Sequence, residues 1–209
     1  MGRPVHHYYH VYADGDWKPA VDEHLTVMEE AGFQPDLMTV GIVGSHTNSL
    51  AARNAILERI DVDHFYYQDE GWEHMTLNVL YEDATVASPF YAVYGHTKGA
   101  GYPAEINDYW RKVMDKYTIG MWKSCHLALL NGYYAVGPFW NQYMIGQTPY
   151  FAGNFWWARS EAIAELGPVP DNSRYEAEVW IGRVHSEFEH PILCNHNSQL
   201  SVAEFKRSL

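Results

Sequence analysis

Strand-like and helix-like segments alternate along the first 94 residues, and this alternation constrains the fold more than any other feature of the sequence. Four short runs are rich in β-branched and aromatic residues, and the stretches between them carry apolar residues at helical spacing. The predicted strands are residues 8–12, 38–43, 62–67 and 90–94, and the predicted helices are 19–32, 48–59 and 73–86. This order is typical of a parallel sheet covered by helices, so we expect an α/β fold.

The second half of the chain is less regular. Its predicted elements are a helix at 106–130 interrupted at Gly120, strands at 135–140 and 150–157, and a helix at 160–166. The segment 175–181 is compatible with either a strand or a helix. Because no internal repeat, low-complexity segment or linker divides the chain, we expect a single domain over 1–209.

The overall charge and hydropathy pattern exclude several classes of function. A formal net charge of -12 is unfavourable for a general nucleic-acid-binding protein or for one that binds anionic membranes. No run of 18 apolar residues predicts a membrane span, and no signal peptide is visible, so we expect a cytoplasmic protein. Cys125 and Cys194 are expected to be free thiols. Aromatic residues reach 15%, which suits a sugar-binding surface because Trp and Tyr combine an apolar face with a polar group.

Candidate binding residues lie where the predicted strands end, because open α/β sheets bind ligands beyond the carboxyl ends of their strands. Three segments meet this criterion: 12–16, 44–48 and 95–99. In the last of them, Lys98 can neutralise a phosphate and Thr97 offers a hydroxyl. A solvated polar turn is the competing interpretation of this segment.

Two later blocks contain further candidates. Gly153 and Asn154 interrupt an aromatic run, where glycine allows a ligand to approach the backbone and asparagine can donate and accept hydrogen bonds. Glu176 and Glu178 would face the same side of a strand but diverge on a helix, and either one could be a general base. We favour Glu178, because its apolar neighbours predict burial and because Glu176 lies nearer Arg174. A surface carboxylate paired with an arginine is the alternative for each.

The metal-binding patterns are weak. Asp61 and Asp63 form an Asp-x-Asp pair, but they precede a predicted strand instead of following it. Histidines cluster near both ends of the chain, without the spacing of a standard zinc motif. We therefore predict no metal site.

Taken in order, these blocks resemble a family of glycosyltransferase-like proteins that occurs among polysaccharide-synthesis enzymes and in viruses and phages. The resemblance covers most of residues 8–182. It rests on His10-Val11-Tyr12, Trp17, Gly41-Ile42-Val43-Gly44, Trp72-Glu73-His74-Met75-Thr76-Leu77, Tyr94-Gly95-His96-Thr97-Lys98-Gly99, Trp110-Arg111-Lys112-Val113-Met114, Trp122, Cys125, Val136-Gly137, Gly153-Asn154-Phe155-Trp156-Trp157-Ala158 and Arg174-Tyr175-Glu176-Ala177-Glu178-Val179-Trp180-Ile181.

The resemblance implies a GT-A-like fold, with a Rossmann-type mixed sheet flanked by helices. Residues 1–100 would form a nucleotide-sugar-binding half and residues 101–209 an acceptor half. The resemblance marks the block that holds both Glu176 and Glu178, and Glu178 is the expected catalytic residue. From the strand ends and the resemblance together, the expected donor-binding or substrate-binding residues are Tyr12, Asp14, Gly44, Thr76, His96, Thr97, Lys98, Gly99, Trp110, Arg111, Gly153, Asn154, Trp156 and Arg174. The partners would be a nucleotide-sugar donor and an acceptor that the sequence leaves open among a glycan, a lipid-linked sugar and a protein.

One departure from ordinary GT-A enzymes concerns the metal. Those enzymes usually carry Asp-x-Asp after the fourth strand, whereas this chain has His96-Thr97-Lys98 there. A cation is still needed on the leaving diphosphate, and Lys98, helped by Arg111, could supply it. We therefore expect a metal-independent transferase with no cofactor. The alternatives are a metal-dependent nucleotide-sugar transferase that uses Asp61 and Asp63 or His96, and a non-catalytic carbohydrate-binding module.

Overall fold

The structure is a computed structural model that describes residues 2–102, 104–145, 148–170 and 173–196. Its first elements are β1 (Val5–Tyr12), α1 (Lys18–Ala31), β2 (Leu37–Val43), α2 (His46–Leu57), β3 (His64–Gln68), α3 (His74–Val86) and β4 (Tyr91–His96). They are followed by α4 (Glu105–Asp115), a π-helical turn (Lys116–Gly120), α5 (Trp122–Leu130), β5 (Ala135–Pro138), β6 (Trp140–Ile145), β7 (Thr148–Phe151) and β8 (Trp156–Arg159). The last elements are α6 (Ser160–Leu166), α7 (Arg174–Val179), a 3-10 turn (Trp180–Gly182), α8 (Arg183–Ser186) and β9 (Ile192–His196).

Within the described residues, the main sheet has seven strands in the order β3-β2-β1-β4-β8-β5-β9. The first four strands of the chain pair in parallel, as the alternation predicts. β8 is antiparallel to both of its neighbours, whereas β5 and β9 pair in parallel. β6 and β7 form a separate antiparallel pair. The expected α/β class and the expected mixed sheet are confirmed.

Helices cover both faces of the sheet because successive side chains of a strand point to opposite faces. In β1, Tyr9 and Val11 pack into a core with α1, α2 and α5. Tyr8 points the other way, into a core with α3 and α6. The central strand is therefore covered on both faces, and its carboxyl end is the part left open to a ligand.

The prediction of one strand over 150–157 is wrong. β7 ends at Phe151, and Gly153 and Asn154 then take left-handed conformations, with φ of 92° and 57°. An antiparallel or parallel ladder requires extended backbone, so these two residues break the strand. The chain leaves the small sheet at this turn and enters the main sheet at β8. The predicted strand at 135–140 is split in the same way, at Phe139, where φ is 57°.

Most other boundaries agree to within a few residues. The helical stretch 106–130 is broken at Gly120, where the π-helical turn ends. The segment 175–181 is helical, as α7 and the following 3-10 turn. Glu176 and Glu178 therefore diverge. Both cysteines are free, with Cys125 buried and Cys194 half-buried.

Histidines in β1 and β4 are held neutral by burial. Burial lowers the pKa of His6, and burial together with the neighbouring His24 lowers the pKa of His7 well below its ordinary value. Burial also lowers the pKa of His10 to about 4. At the end of β4, burial and then the charge of Lys98 lower the pKa of His96 to about 3.

Because of these histidines, we predict that the protein loses stability as the pH falls from about 7 to about 5. The unfolded chain binds protons at histidine near pH ~6.5, and the folded chain does not, so this contribution is complete above that pH and is lost below it. Each histidine that stays buried and neutral lowers the free energy of unfolding by up to about 1.4 kcal/mol for each pH unit below its pKa in the unfolded chain. Denaturant unfolding as a function of pH measures the slope. His7→Leu should reduce the slope, and an unchanged slope would contradict this origin.

Candidate active site

A cavity of about 800 Å³ opens beyond the carboxyl ends of β1 and β4. The chain runs outward from β1 to β2 and β3 on one side and returns to place β4 on the other, so this is the switch point where open α/β sheets bind ligands. The cavity is lined by His10, Tyr12, Asp14, Asp69, Glu70, Gly71, Trp72, Glu73, His96, Thr97, Lys98, Gly99, Ala100, Gly101, Tyr102, Asn107, Arg174, Tyr175 and Glu178.

The loop after β4 forms one wall of this cavity. The Thr97 hydroxyl accepts a hydrogen bond from the Tyr12 backbone N–H at 2.9 Å, and the Thr97 N–H donates to the His10 carbonyl at 2.9 Å. These bonds tie the loop to the end of β1. Lys98, which follows, is half-buried and lines the cavity. Gly99 has φ of 85°, and a side chain there would overlap Asn107.

Asp14 connects the end of β1 to the start of α2. Its carboxylate accepts hydrogen bonds from the Ser45 backbone N–H and hydroxyl and from the Asn48 side chain, at 2.7–3.0 Å. These bonds lower the pKa of Asp14, the Ser45 side chain contributing most. Gly44, also predicted as a binding residue, lies beneath Asp14. A Cβ on Gly44 would be 3.0 Å from the Asp14 backbone nitrogen. Gly44 does not line the cavity and instead makes room for Asp14.

Arg111 is the clearest difference from the sequence interpretation. Its guanidinium was expected to help Lys98 neutralise a phosphate, but it is buried behind the loop and does not line the cavity. It donates to the Lys98 carbonyl at 3.0 Å and forms ion pairs with Asp108 at 3.1 Å and Glu23 at 3.4 Å. Arg111 therefore positions the loop, and its charge is balanced by two carboxylates.

Five other predicted binding residues also lie outside the cavity wall: Thr76, Trp110 and Trp156, and Gly153 and Asn154 below. Thr76 is buried and forms a hydrogen bond of 2.8 Å with His10 Nδ1. Trp110 packs against Phe139, with ring centroids 6.3 Å apart. Trp156 is fully buried in the core. An aromatic residue on an element that crosses the core satisfies the same sequence pattern as one on a binding surface, and only burial separates the two.

Gly153 joins the two sides of the cavity, although it does not line it. Its N–H donates to Glu178 Oε1 at 3.0 Å, and its carbonyl accepts from His96 Nε2 at 2.9 Å. A Cβ on Gly153 would lie 2.3 Å from Met114 Sδ and 3.3 Å from Lys98 Cε. The predicted catalytic carboxylate and the predicted phosphate-binding lysine thus meet around one glycine.

Glu73 lines the cavity, and the buried Asn154 supports it from behind. Asn154 is buried, and its side-chain amide donates to Glu73 Oε2 at 2.6 Å and to the Ala177 carbonyl at 3.2 Å, while its oxygen accepts from Trp156 Nε1 at 2.7 Å. Asn154 is therefore fully engaged with protein groups. Glu73 Oε2 also accepts from the Tyr94 hydroxyl at 2.8 Å.

Glu73 was missed as a site residue by the sequence analysis, which treated it as the start of a helix. The loop after β3 contributes Asp69, Glu70, Trp72 and Glu73 to the cavity. The strand-end rule that selected the other three parallel strands applied equally to β3, so a signal was present. Tyr102 and Tyr175, in contrast, had no local signal.

Two residues of the alternative metal sites, Asp63 and His96, are bonded to other protein groups. The described residues contain no group of three or more His, Cys, Asp or Glu side chains that could hold a metal ion. Asp61 and Asp63 precede β3, at the end of the strand opposite the cavity, and Asp63 accepts a hydrogen bond from the Met38 N–H at 2.7 Å. After β4, His96 donates through Nε2 to Gly153, and Lys98 follows it. None of the helices in the described part of the chain is long and apolar enough to span a membrane.

Residues 8–202 match the family described as Domain of unknown function (DUF8361). The chain belongs to this family. No curated protein shows significant sequence similarity to this DUF8361 chain. Its fold can nevertheless be compared with solved structures.

The fold of the DUF8361 chain is similar to those of three enzymes. A 4-diphosphocytidyl-2C-methyl-D-erythritol synthase from Anaerococcus prevotii has a TM-score of 0.53 and 11% identity, over 95% of this chain and 91% of that one. A second structure of such a synthase has a TM-score of 0.52 and 11% identity, over 100% and 96% of the two chains. A mannosyltransferase from Pyrobaculum calidifontis, in complex with GDP-Man and Mn²⁺, has a TM-score of 0.54 and 13% identity, over 99% and 60%. These likenesses confirm the GT-A-like fold.

We predict that Gly153→Ala destabilises the protein more than a matched control does. The substituted residue would keep φ of 92° and collide with Met114, whereas Gly132, with φ of 103°, has no atom within 4 Å of a Cβ. Left-handed strain alone costs about 1–3 kcal/mol, and the collision adds to it. Denaturant unfolding of Gly153→Ala and Gly132→Ala compares the two costs. Equal destabilisation of both variants would show that Gly153 is not tightly enclosed.

Proposed function

We propose that this protein is a glycosyltransferase that moves a sugar from a nucleotide-sugar donor to an acceptor hydroxyl without a metal ion. One observation carries the proposal: Lys98 and Glu178 line the same cavity at the carboxyl ends of β1 and β4 and converge on Gly153. A cation for the leaving diphosphate and a base for the acceptor are thereby brought together. The similar mannosyltransferase, solved with GDP-Man, gives the donor class further support.

Lys98 and Arg174 are the cations that line the described part of the cavity. Lys98 extends past Gly153 from one wall, and Arg174 lies exposed at the start of α7. A diphosphate between them would be neutralised from two sides, and the charge that develops on it as the donor bond breaks would be stabilised. Asp14, Glu73 and Glu178, which also line the cavity, each accept hydrogen bonds from protein groups. These bonds hold the three carboxylates in fixed positions on the cavity wall.

Glu178 is the proposed base. The Gly153 N–H holds Oε1 at 3.0 Å, and the side chain is half-buried at the cavity wall. In the proposed step, the acceptor oxygen forms a bond to the anomeric carbon of the donor. The bond from that carbon to the diphosphate oxygen breaks, its electron pair leaves with the nucleoside diphosphate, and the acceptor proton passes to Glu178. Glu176 lies on the same helix but does not line the cavity.

Two alternatives remain and are separable by assay. A metal-dependent transferase would lose turnover in EDTA and regain it with manganese, whereas the proposed enzyme keeps its turnover. A non-catalytic carbohydrate-binding module would bind sugars without hydrolysing or transferring from any nucleotide sugar. A panel of nucleotides and nucleotide sugars screened by thermal shift identifies the donor class, because a ligand at 100 times its Kd stabilises by about 2.7 kcal/mol.

We predict that Lys98→Ala weakens the binding of nucleoside diphosphates by about tenfold to a hundredfold. A hydrogen bond to a charged group contributes about 1.5–3 kcal/mol, and this substitution removes the phosphate partner. Lys112→Ala is the matched control, because Lys112 is an exposed lysine on α4 outside the cavity. Isothermal titration calorimetry measures both affinities. Wild-type affinity in a folded Lys98→Ala protein would refute the assigned role.

We predict that Glu178→Gln lowers turnover by about a hundredfold or more while leaving donor binding intact. Glutamine keeps the shape and can still accept from the Gly153 N–H, but it cannot take the proton, and general-base catalysis contributes about 10²–10⁴-fold. Glu176→Gln also removes one carboxylate charge from α7, but outside the cavity, so this control should retain wild-type turnover. Steady-state kinetics with the donor found in the panel measure all three proteins. A collapse in Glu176→Gln with normal turnover in Glu178→Gln would reverse the assignment.

A further inference from the structure

The Glu73 carboxylate is oriented so that one of its oxygens is engaged and the other is left open. Oε2 accepts from both Tyr94 and Asn154, as described above. Burial, followed by the charge of Glu73, raises the pKa of Tyr94 well above its ordinary value, so its hydroxyl remains a donor. With Oε2 held by two donors, Oε1 is fixed 3.6 Å from His96 Nδ1.

His96 presents a second acceptor beside this oxygen. A carbonyl can only accept, so His96 Nε2 must carry the hydrogen that is shared with the Gly153 carbonyl at 2.9 Å. In a neutral imidazole, Nδ1 is then an acceptor. Two acceptors that are 3.6 Å apart cannot bond to each other. In the part of the chain that the structure describes, no group donates a hydrogen bond to either atom.

The pair is only partly open to solvent. The side chains of His96 and Glu73 are only 12% and 20% exposed. Acceptors at such partly buried positions are incompletely hydrated. A ligand that donates a hydrogen bond to them therefore stabilises the complex. Both residues line the cavity, so a ligand bound there would reach them.

We propose that Glu73 Oε1 and His96 Nδ1 form a subsite that binds a vicinal diol of a sugar ring, each atom accepting one hydroxyl hydrogen. A single hydroxyl carries one donor, whereas two hydroxyls on adjacent ring carbons carry two side by side. A neutral diol satisfies both acceptors and adds no charge to a cavity wall that already carries carboxylates together with Lys98 and Arg174.

Trp72 supports a sugar as the occupant. It precedes Glu73, lines the same cavity and is 51% exposed. A sugar ring whose hydroxyls point at Glu73 presents its C–H face to a neighbouring surface, and an aromatic ring is a suitable partner for that face. This subsite deepens the proposed function and rests on it for the nucleotide portion of the ligand. The diol could belong to the ribose or to the transferred sugar.

Ligand pairs that differ in one hydroxyl test the subsite in the wild-type protein. GDP and UDP are compared with their 2′-deoxy forms, and GDP- and UDP-hexoses are compared with the same compounds carrying a 3-deoxyhexose, because the 3-hydroxyl belongs to both the 2,3-diol and the 3,4-diol. We expect the complete diol to bind about tenfold or more tightly in one of the two series, because a hydrogen bond to a carboxylate is being removed. Loss in the first series assigns the diol to ribose, and loss in the second assigns it to the transferred sugar. Equal affinities in both series would overturn the proposal.

Glu73→Gln tests whether that preference depends on the subsite. The glutamine oxygen can take the place of Oε2 and accept from Tyr94 and Asn154. The amide nitrogen, which is a donor, then takes the place of Oε1 and can no longer accept from a hydroxyl. The preference for the diol should therefore fall to about onefold. Glu82→Gln is the control, since Glu82 is an exposed carboxylate on the same helix outside this cavity. It should keep the wild-type preference. A Glu73→Gln protein with the wild-type preference would overturn the proposal even if the ligands discriminate.

A final comparison separates the subsite from the proposed function. Methyl pyranosides and their 3-deoxy forms are titrated while the His96 ring nitrogens are observed by NMR. If no nucleotide binds but a pyranoside shifts these signals in wild type and not in Glu73→Gln, the subsite stands and the transferase proposal fails. If nucleotides bind without any diol preference, the transferase proposal stands and the subsite fails. If neither class of ligand binds, both are wrong.

Discussion

The buried side chain of Asn154 is the connection on which the site depends. Its hydrogen bonds reach Glu73 at the start of α3, the Ala177 carbonyl in α7 and the indole of Trp156 in β8. These elements come from both halves of the chain. One rigid amide holds all three partners. It therefore fixes the position of the Glu73 carboxylate relative to α7, the helix that carries Glu178.

The backbone at Gly153 and Asn154 makes this connection possible. Left-handed φ values at both residues turn the chain from β7 into β8 and aim the Gly153 N–H and carbonyl in opposite directions. One direction holds Glu178 and the other holds His96. A non-glycine residue with positive φ, such as Asn154, persists where the surrounding structure over-determines it, and functional sites are where such residues concentrate. The turn, the fixed carboxylates and the lysine therefore form one unit, and the proposed transfer chemistry uses each of its parts.

Part of the site was readable in the sequence because it follows from topology. The β-α alternation implied parallel strands, and parallel strands place their carboxyl ends at one edge, so Tyr12, Asp14 and Lys98 were expected together and do line one cavity. Glu73 was missed because the same rule was not applied to β3. Arg111 was misread because a lone arginine near a phosphate-binding loop looks identical in sequence whether its partner is a ligand or, as here, Glu23 and Asp108.

The sequence by itself determined the order of the first four strands and three helices, the fold class and the edge of the sheet where a ligand would lie, because hydrophobic periodicity and turn residues act locally. Only the tertiary structure decided that Gly153 and Asn154 form a turn between two sheets, that Trp156 and Arg111 are buried, and that Glu73 faces His96. Each of these depends on contacts between residues far apart in the chain, such as the 81 positions that separate Glu73 from Asn154. Local pattern carries no information about such pairings, since the same residue types serve equally well in a core, an ion pair or a binding site.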